Sequence, residues 1–298
     1  MTQLSMELVH SGKVRDLYTV PENRLLMIAS DRLSAFDVVM AEPIPNKGRV
    51  LTAMTAFWLE EVKDVVPNSV ISFNPAEIDD LIGQTLPKET HGRAMLVQRA
   101  EMVSLECIVR GYLAGQAFSE YERAGTIHDM ATPKGLRLAD RLPEPMFTPS
   151  TKAEEGHDLN ISMNAARELV GGALVDELAA ISIAVYTRAA ARAESAGFVL
   201  ADTKFEFGHV DGRLVLCDEV CTPDSSRLWP RSGIVPGTTP PAYDKQPFRD
   251  WLEGIGWDKQ PPPPMVPEEV VTLTSDRYVA AYELVTGRSL SDWYGAEA

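Results

Sequence analysis

A mixed α/β protein in two lobes is what this sequence predicts, and three observations carry that reading. The chain has 298 residues, enough for a large core and for division into more than one compact body. Its first hundred residues are short alternating or apolar runs broken by turn signals. The remainder joins Ala-rich helical stretches to a long alternating strand and a hairpin partner. The change falls near Ala100-Glu101-Met102, which divides the chain into 1–101 and 102–298.

In the first part, Lys13 to Val20 alternates loosely, Pro21-Glu22-Asn23 turns, and Arg24 to Ala29 reads as a buried strand. Asn46-Lys47-Gly48 precedes one helix, Arg49 to Val62, with Leu51, Met54, Thr55 and Trp58 on one face. Ala94 to Arg99 is another strand, and Ala100 to Met102 leaves it as a hinge. In the second part, Leu113 to Ala124 is helical in pattern, and Pro133 to Pro149 reads as a long ordered loop. Helices follow at Asn164 to Val170 and at Asp176 to Gly197, the latter closed by its glycine. The proline tract ending at Pro264 is an extended connector, and Pro267 to Thr286 is a final helix stopped by Gly287.

Composition narrows the function. Hydrophobic residues make up 45% and charged residues 24%, as in ordinary soluble globular proteins. A net charge of −15 disfavours general nucleic-acid binding and anionic membrane surfaces, both of which reward Lys and Arg. It leaves room for a local basic pocket. The three cysteines, Cys107, Cys217 and Cys221, give no disulfide framework and suit a reducing compartment. No His or Cys pair completes a zinc pattern. The segment Met1 to His10 lacks the features of a signal peptide, and no apolar run reaches membrane-spanning length. The expected location is the cytoplasm. Monomer and homo-oligomer remain equally open.

The most informative segment is Leu200 to Gly208. Alternation puts Asp202, Lys204 and Glu206 on one face of a strand, with Ala201, Thr203, Phe205 and Phe207 on the other. A turn is expected over Gly208 to Gly212, then a second strand, Arg213 to Cys217, ending in Asp218-Glu219. This hairpin is expected to bring Asp202, Glu206 and Asp218 together. Clustered carboxylates are unfavourable without a cation, and Mg²⁺ with a polyphosphate resolves the conflict, since it takes one or two carboxylates plus phosphate oxygens. The same alternation also marks an ordinary half-solvated strand with paired surface charges.

Three other segments carry chemistry. In Ser11 to Tyr18, Gly12 permits close backbone approach to a phosphate, while Lys13 and Arg15 supply charge; taken alone, the segment reads more simply as a surface hairpin with two basic residues. In Glu106 to Gly115, Arg110 ends an apolar strand where a guanidinium can grip phosphate or carboxylate, or simply serve as a strand-end arginine. In Thr222 to Trp229, Asp224, Ser225 and Ser226 form a turn with free donors, and Arg227 adds a second guanidinium.

Together these motifs identify the chain by resemblance. Ser11-Gly12-Lys13-Val14-Arg15-Asp16, Ser30 to Asp37, Ile44 to Gly48, Leu105 to Tyr112 and Ser150 to Asp158 resemble the SAICAR synthetase family of purine biosynthesis. So do the Asp-x-Lys-x-Glu-Phe-Gly strand and Asp218-Glu219…Thr222 to Arg227. The resemblance runs nearly end to end. It implies an antiparallel-sheet lobe over a mixed α/β lobe with an ATP cleft between them. It also implies an ATP-dependent ligase that joins L-aspartate to the carboxylate of a carboxyaminoimidazole ribotide (CAIR) through an acyl phosphate. ATP and Mg²⁺ are the implied cofactors, and CAIR and L-aspartate the implied small-molecule partners.

Residue by residue, the resemblance assigns Gly12, Lys13 and Arg15 to the ATP phosphates, and Arg99, Ala100, Glu101 and Met102 to the adenine side. Glu206 faces ribose or metal, and Asp202 and Asp218 join it as Mg²⁺ ligands. Lys204, Asp218 and Arg227 are the expected catalytic residues. Arg110, Gln116, Asp224, Ser226 and Arg227 form the ribotide set, and Ser34, Asp37, Lys152 and Asp158 the ribotide and aspartate region. One position departs: many relatives carry serine where this chain has Gln116, a longer donor beside the expected phosphate. Two rival classes remain at this stage. A small-molecule kinase would share the basic loop and acidic strand, although the three-glycine loop and His-Arg-Asp motif of protein kinases are missing. An acidic scaffold would leave the carboxylates solvated. A dependence of ATP turnover on both CAIR and aspartate separates the ligase from the first, and a thermal shift with Mg·ATP from the second.

Overall fold

The computed structural model describes residues 4–12, 14–35, 38–152 and 159–295. The chain divides into two compact units, one of residues 1–57, 69–99 and 243–298, the other of 58–68 and 100–242.

The first unit opens with β1 (Leu8–Ser11), β2 (Arg15–Val20) and β3 (Arg24–Ala29), then the two-residue partners β4 (Ser34–Ala35) and β5 (Val38–Val39). Helix α1 (Lys47–Glu61) follows and runs on into the second unit. Next come β6 (Val70–Ser72), α2 (Pro75–Ile82) and β7 (Ala94–Gln98). The sheet order is β1-β2-β3-β7-β6, with every neighbouring pair antiparallel. Its faces bury two clusters: Val20, Leu26, Ile28 and Leu96 with Ile78 of α2, and Met27, Met95 and Val97 on the opposite side. Adjacent residues of β3 serve different faces, as strand alternation requires. The sequence predicts one helix here, but α2 also forms. Its start is fixed by Asn74, whose side chain accepts from the Ala76 and Glu77 amides, and by Pro75 in the first turn.

The second unit contains β8 (Glu101–Met102), β9 (Leu105–Tyr112), α3 (Gly115–Ala124), β10 (Thr126–Ile127), β11 (Met130–Ala131), β12 (Arg141–Phe147) and β13 (Ser150–Thr151). Then come α4 (Met163–Val170), α5 (Gly172–Ser195), β14 (Phe198–Val210), β15 (Arg213–Cys217) and β16 (Ser226–Pro230). The main sheet runs β12-β9-β14-β15, with β13 on β9 and both β16 and β8 on β14. The thirteen-residue β14 is its spine. Thr203, Phe205 and Phe207 are buried on one face of β14 as the alternation predicts. Helix α5 packs against the sheet through Val175, Leu178, Val185, Tyr186, Ala189 and Ala193, a helical stripe. The Tyr186 hydroxyl donates to the Leu200 carbonyl at 2.6 Å.

Several expectations are corrected. The turn after β14 is the two-residue Asp211-Gly212, with φ of 50° and 74°, so the strand continues two residues past Gly208. An Asp-Gly pair with both φ positive is the hairpin turn that matches strand twist. The expected hinge at Ala100 to Met102 is in part a strand, since Met102 pairs with Gly208 and Glu101 with His209. The expected loop over 133–149 contains β12, whose ladder with β9 is irregular between Arg141 and Met146. Pro143 and Pro145 fall in that interval, where missing N–H donors do no harm. Finally, the sequence division places 243–298 in the second lobe, whereas this segment belongs to the first unit. Its helices α6 (Gln246–Gly254) and α7 (Glu268–Thr286) follow a simple logic: Phe248, Leu252 and Val266 are buried against Leu33, Met40 and Ile44.

Candidate active site

The antiparallel register of β9 and β14 builds the site. Asp202 lies opposite Arg110 and Lys204 opposite Ile108. Because side chains alternate, Glu106, Ile108 and Arg110 of β9 share a face with Asp202, Lys204 and Glu206 of β14. On that face sits a cavity of about 300 Å³, lined among others by Arg110, Gln116, Asn160, Asp202, Lys204 and Arg227.

Its first ionic group is a carboxylate between two guanidinium groups. Asp202 Oδ2 accepts from Arg110 Nη1 at 2.9 Å and also from Arg227 Nη1. Arg110 donates a further bond from Nε to Thr148 Oγ1 at 3.0 Å. Both Arg110 and Asp202 are buried, while nearly half of the Arg227 side chain is exposed. Burial pulls the Arg110 pKa below its usual value, and Asp202 opposes that pull; a guanidinium stays charged regardless. Arg227 therefore keeps one side open to solvent, whereas Arg110 is enclosed.

The second group surrounds Lys204. Its ammonium lies 2.5 Å from Glu106 Oε1 and 3.7 Å from Glu206 Oε1. Lys152 reaches the other Glu206 oxygen at 2.5 Å. Lining the cavity, Arg110, Lys204 and Arg227 face Glu106 and Asp202, three cations against two carboxylates. Three basic side chains converging on one cavity in a chain of net charge −15 suit an anionic guest.

The turn beyond β15 completes this wall. Asp218 follows Cys217, the register partner of Glu206, and holds a left-handed φ of 57°. Thr222 Oγ1 accepts from the Asp224 and Ser225 amides, both at 3.2 Å. The Ser225 carbonyl accepts from the Lys204 amide at 2.9 Å, and Ser226 Oγ donates to Thr203 Oγ1 at 2.9 Å. The turn is thereby fastened to β14.

Helix α3 begins at Gly115, whose φ is 56°. A methyl group there would run into the Arg227 guanidinium. Gly115→Ala is thus expected to push Arg227 off Asp202 and to weaken binding of an anionic ligand about tenfold, the loss of roughly one charge-assisted hydrogen bond. Isothermal titration with the ribotide or inorganic phosphate checks this, and unchanged affinity would show that Arg227 does not depend on the glycine.

The structure brings together Arg110, Gln116, Lys152, Lys204, Glu206, Arg227 and the Asp224–Ser226 turn within the second unit. It corrects the metal set. Among the described residues no group of three or more His, Cys, Asp or Glu side chains is placed to hold a metal ion, so Asp202, Glu206 and Asp218 do not together form one. Four residue steps along the strand separate Asp202 from Glu206, about 13 Å of rise, with Lys204 between them. Asp202 instead neutralises the two arginines. Glu101 and Met102 are exposed on β8. Gly12, Arg15, Ser34 and Arg99 belong to the first unit. There the Gly12 carbonyl accepts from Arg32 at 2.9 Å, Arg15 is buried, and the Arg99 amide donates to the Asn23 carbonyl at 2.8 Å. Lys13, Asp37 and Asp158 lie outside the described residues.

Sequence reasoning missed Glu106, Thr148 and Asn160. The signal for Glu106 was present in Glu106-Cys107-Ile108-Val109-Arg110, where strand alternation puts Glu106 on the same face as Arg110. Thr148 and Asn160 carry no local signal, because they reach the site only through pairing of β12 and β13 with β9.

A sequence profile described as SAICAR synthetase matches residues 8–264. The phosphoribosylaminoimidazole-succinocarboxamide synthase of Saccharopolyspora erythraea is 50% identical over 291 residues, covering 96% of this chain and 95% of that one. Its counterpart in Chromobacterium violaceum is 47% identical over 285 residues, covering 95% and 99%. A solved structure of the Saccharomyces cerevisiae SAICAR synthase in complex with SAICAR superposes with a TM-score of 0.89 at 38% identity, covering 97% and 98%.

Proposed function

Because this chain belongs to the SAICAR synthetase family, we propose that its second unit binds the ribotide carboxylate and phosphate on Arg110, Arg227 and Gln116 and ligates L-aspartate to that carboxylate at the expense of ATP. The protein is a ligase of purine biosynthesis. The observation that carries the site assignment is the cationic cavity in which Arg110, Lys204 and Arg227 converge.

A carboxylate resists attack by an amine until one of its oxygens becomes a leaving group. In the reaction proposed here, a ribotide carboxylate oxygen attacks the terminal phosphorus of ATP, the bridging P–O bond breaks, and ADP departs. The aspartate amine then adds to the acyl carbon, the C–O bond to phosphate breaks, and the nitrogen loses a proton as the amide forms. Phosphoryl transfer needs positioning and charge neutralisation more than covalent help. Lys204 is suited to that task because Glu106, buried beneath it, fixes its ammonium where phosphoryl charge accumulates. Arg110, immobilised by Asp202 and Thr148, orients the ribotide, and Arg227 closes on it from the exposed side. Asp224 supports a hydroxyl or amino group of the ribotide from the Thr222 turn.

Glu206 and Asp218 would supply hard carboxylate oxygens of the kind that hold Mg²⁺ together with phosphate oxygens, and the ion, when bound, would screen polyphosphate charge. Lys152, on Glu206, balances that carboxylate when no cation is there. No single helix among the described residues is long and apolar enough to cross a membrane, and a cytoplasmic location belongs to this reading.

The test is product formation. With CAIR, L-aspartate and Mg·ATP together, SAICAR and ADP are expected in equal amounts, and omission of any one is expected to stop both. ADP release without aspartate would point to a kinase instead. Glu206→Gln is expected to weaken Mg·ATP binding by about tenfold or more while ribotide affinity stays within twofold, since one carboxylate charge is lost. Separate titrations of the two ligands measure this, and equal losses would remove Glu206 from the nucleotide side.

A further inference from the structure

We propose that His128 is a positioning residue that locks residues 159–162 against β13 and so fixes Asn160 in the substrate cavity. The kinetic part of this inference rests on the function proposed above; the structural part does not.

His128 sits at the turn of the β10–β11 hairpin, far in sequence from the segment it touches. Its Nδ1 lies 2.9 Å from the Ile161 carbonyl oxygen. A carbonyl only accepts, so Nδ1 carries the proton and donates. The residue is 3% exposed. Burial holds its pKa below the ordinary histidine value, as does the nearby Arg110 charge, against the Ile161 carbonyl, which raises it. Its Nε2 has no hydrogen-bond partner among the described residues.

The backbone agrees. His128 and Asp129 both have positive φ, 51° and 61°. Two-residue turns of this form favour Asn-Gly because a Cβ is strained at positive φ. His-Asp accepts that strain and thereby aims an imidazole inward.

The anchored segment is part of the site. The Ile161 amide donates to the Pro149 carbonyl at 3.2 Å and the Thr151 amide to the Leu159 carbonyl at 3.0 Å, while Ser150 and Asn160 form an antiparallel bridge. Ser150 and Asn160 both line the cavity that holds Arg110, Lys204 and Arg227. The β13 side is fixed by pairing with β9. On the other side, His128 supplies a side-chain bond to Ile161. A second cavity, of about 570 Å³, lies beside His128 and shares Gln116 and Asn160 with the first. Without the anchor, Asn160 has room to retreat into it.

The experiment compares His128→Asn with His128→Ala and His128→Phe. Asparagine can place an N–H where Nδ1 stands and accepts positive φ readily; alanine and phenylalanine cannot donate. Amide exchange of Thr151 and Ile161 in the intact protein is expected to rise about tenfold in the Ala and Phe variants, the loss of one hydrogen bond, and to stay near wild type in Asn. In ligation assays, the ribotide KM is expected to rise about tenfold in Ala and Phe, with the ATP KM within twofold, and Asn is expected to restore it. Unchanged exchange in all three variants, or exchange in Asn as fast as in Ala, overturns the anchor. Equal increases in all substrate KM values overturn its link to the ribotide. If wild-type protein forms no SAICAR, the proposed function falls, and the exchange measurement still decides the anchor.

Discussion

Lys204→Met is expected to lower turnover about 10³-fold at saturating substrates while leaving ribotide affinity within a few fold. The magnitude is that of removing one preorganised charge from a developing phosphoryl or oxyanion centre. The specificity of the effect follows from the structure. Lys204 is held by Glu106 and lies 3.7 Å from Glu206, whereas Arg110 and Arg227 are held by Asp202. The two ionic groups are built on the same strands but do not share a carboxylate. Methionine keeps the stem of the side chain and removes only the ammonium, so packing survives. Release of ADP and formation of SAICAR, followed separately, check the claim. Turnover at the wild-type rate would exclude Lys204 from the chemistry, and a loss confined to KM would make it a binding residue.

Asp202→Asn carries the largest expected cost in stability. An asparagine is nearly isosteric, but it leaves two guanidinium groups facing each other, one of them fully buried. Breaking a buried ion pair from one side costs about 3–5 kcal/mol because the remaining charge has no compensation. In a chain of this size that is about a 5–8 °C fall in melting temperature. Two further observations separate this from a generic packing defect. Inorganic phosphate is expected to recover more stability in the variant than in wild type, since it returns a negative charge to the arginines. Adding Arg227→Met is expected to recover part of the loss by removing the repulsion. An unchanged melting temperature would show that the arginines find another partner. The original expectation for Asp202 as a metal ligand makes the opposite forecast, a loss of nucleotide binding with little change in folding.

What the sequence made legible followed from local pattern. The hairpin of β14 and β15 was readable because β14 alternates over a long run and Asp211-Gly212 has the turn chemistry. The end of α7 was readable because Gly287 stops it in a left-handed conformation. Arg110, Lys204, Glu206 and Arg227 stood out because each sat in a motif shared with the family. What failed needed long-range information. Charge on one face of β14 could not reveal that Asp202 meets arginines from β9 and β16, because strand neighbours are chosen by the whole sheet. Spacing along a strand, taken seriously, already separated Asp202 from Glu206 by more than one ion can bridge. The placement of 243–298 was hidden for the same reason: an amphipathic helix states that it has an apolar face, and says nothing of which core receives it.

The cluster of Leu33, Met40 and Ile44 with Phe248, Leu252 and Val266 sets an order of events during synthesis. The earliest of these residues leave the ribosome some two hundred positions before their partners, a delay on the order of 10 s or more at usual elongation rates. Through that interval the nascent amino-terminal body must wait with an uncovered apolar flank, while everything needed for the sheet around β14 has already emerged. A chain cut short before Phe248 would therefore strand that flank permanently and become a client of chaperones or a seed for aggregates.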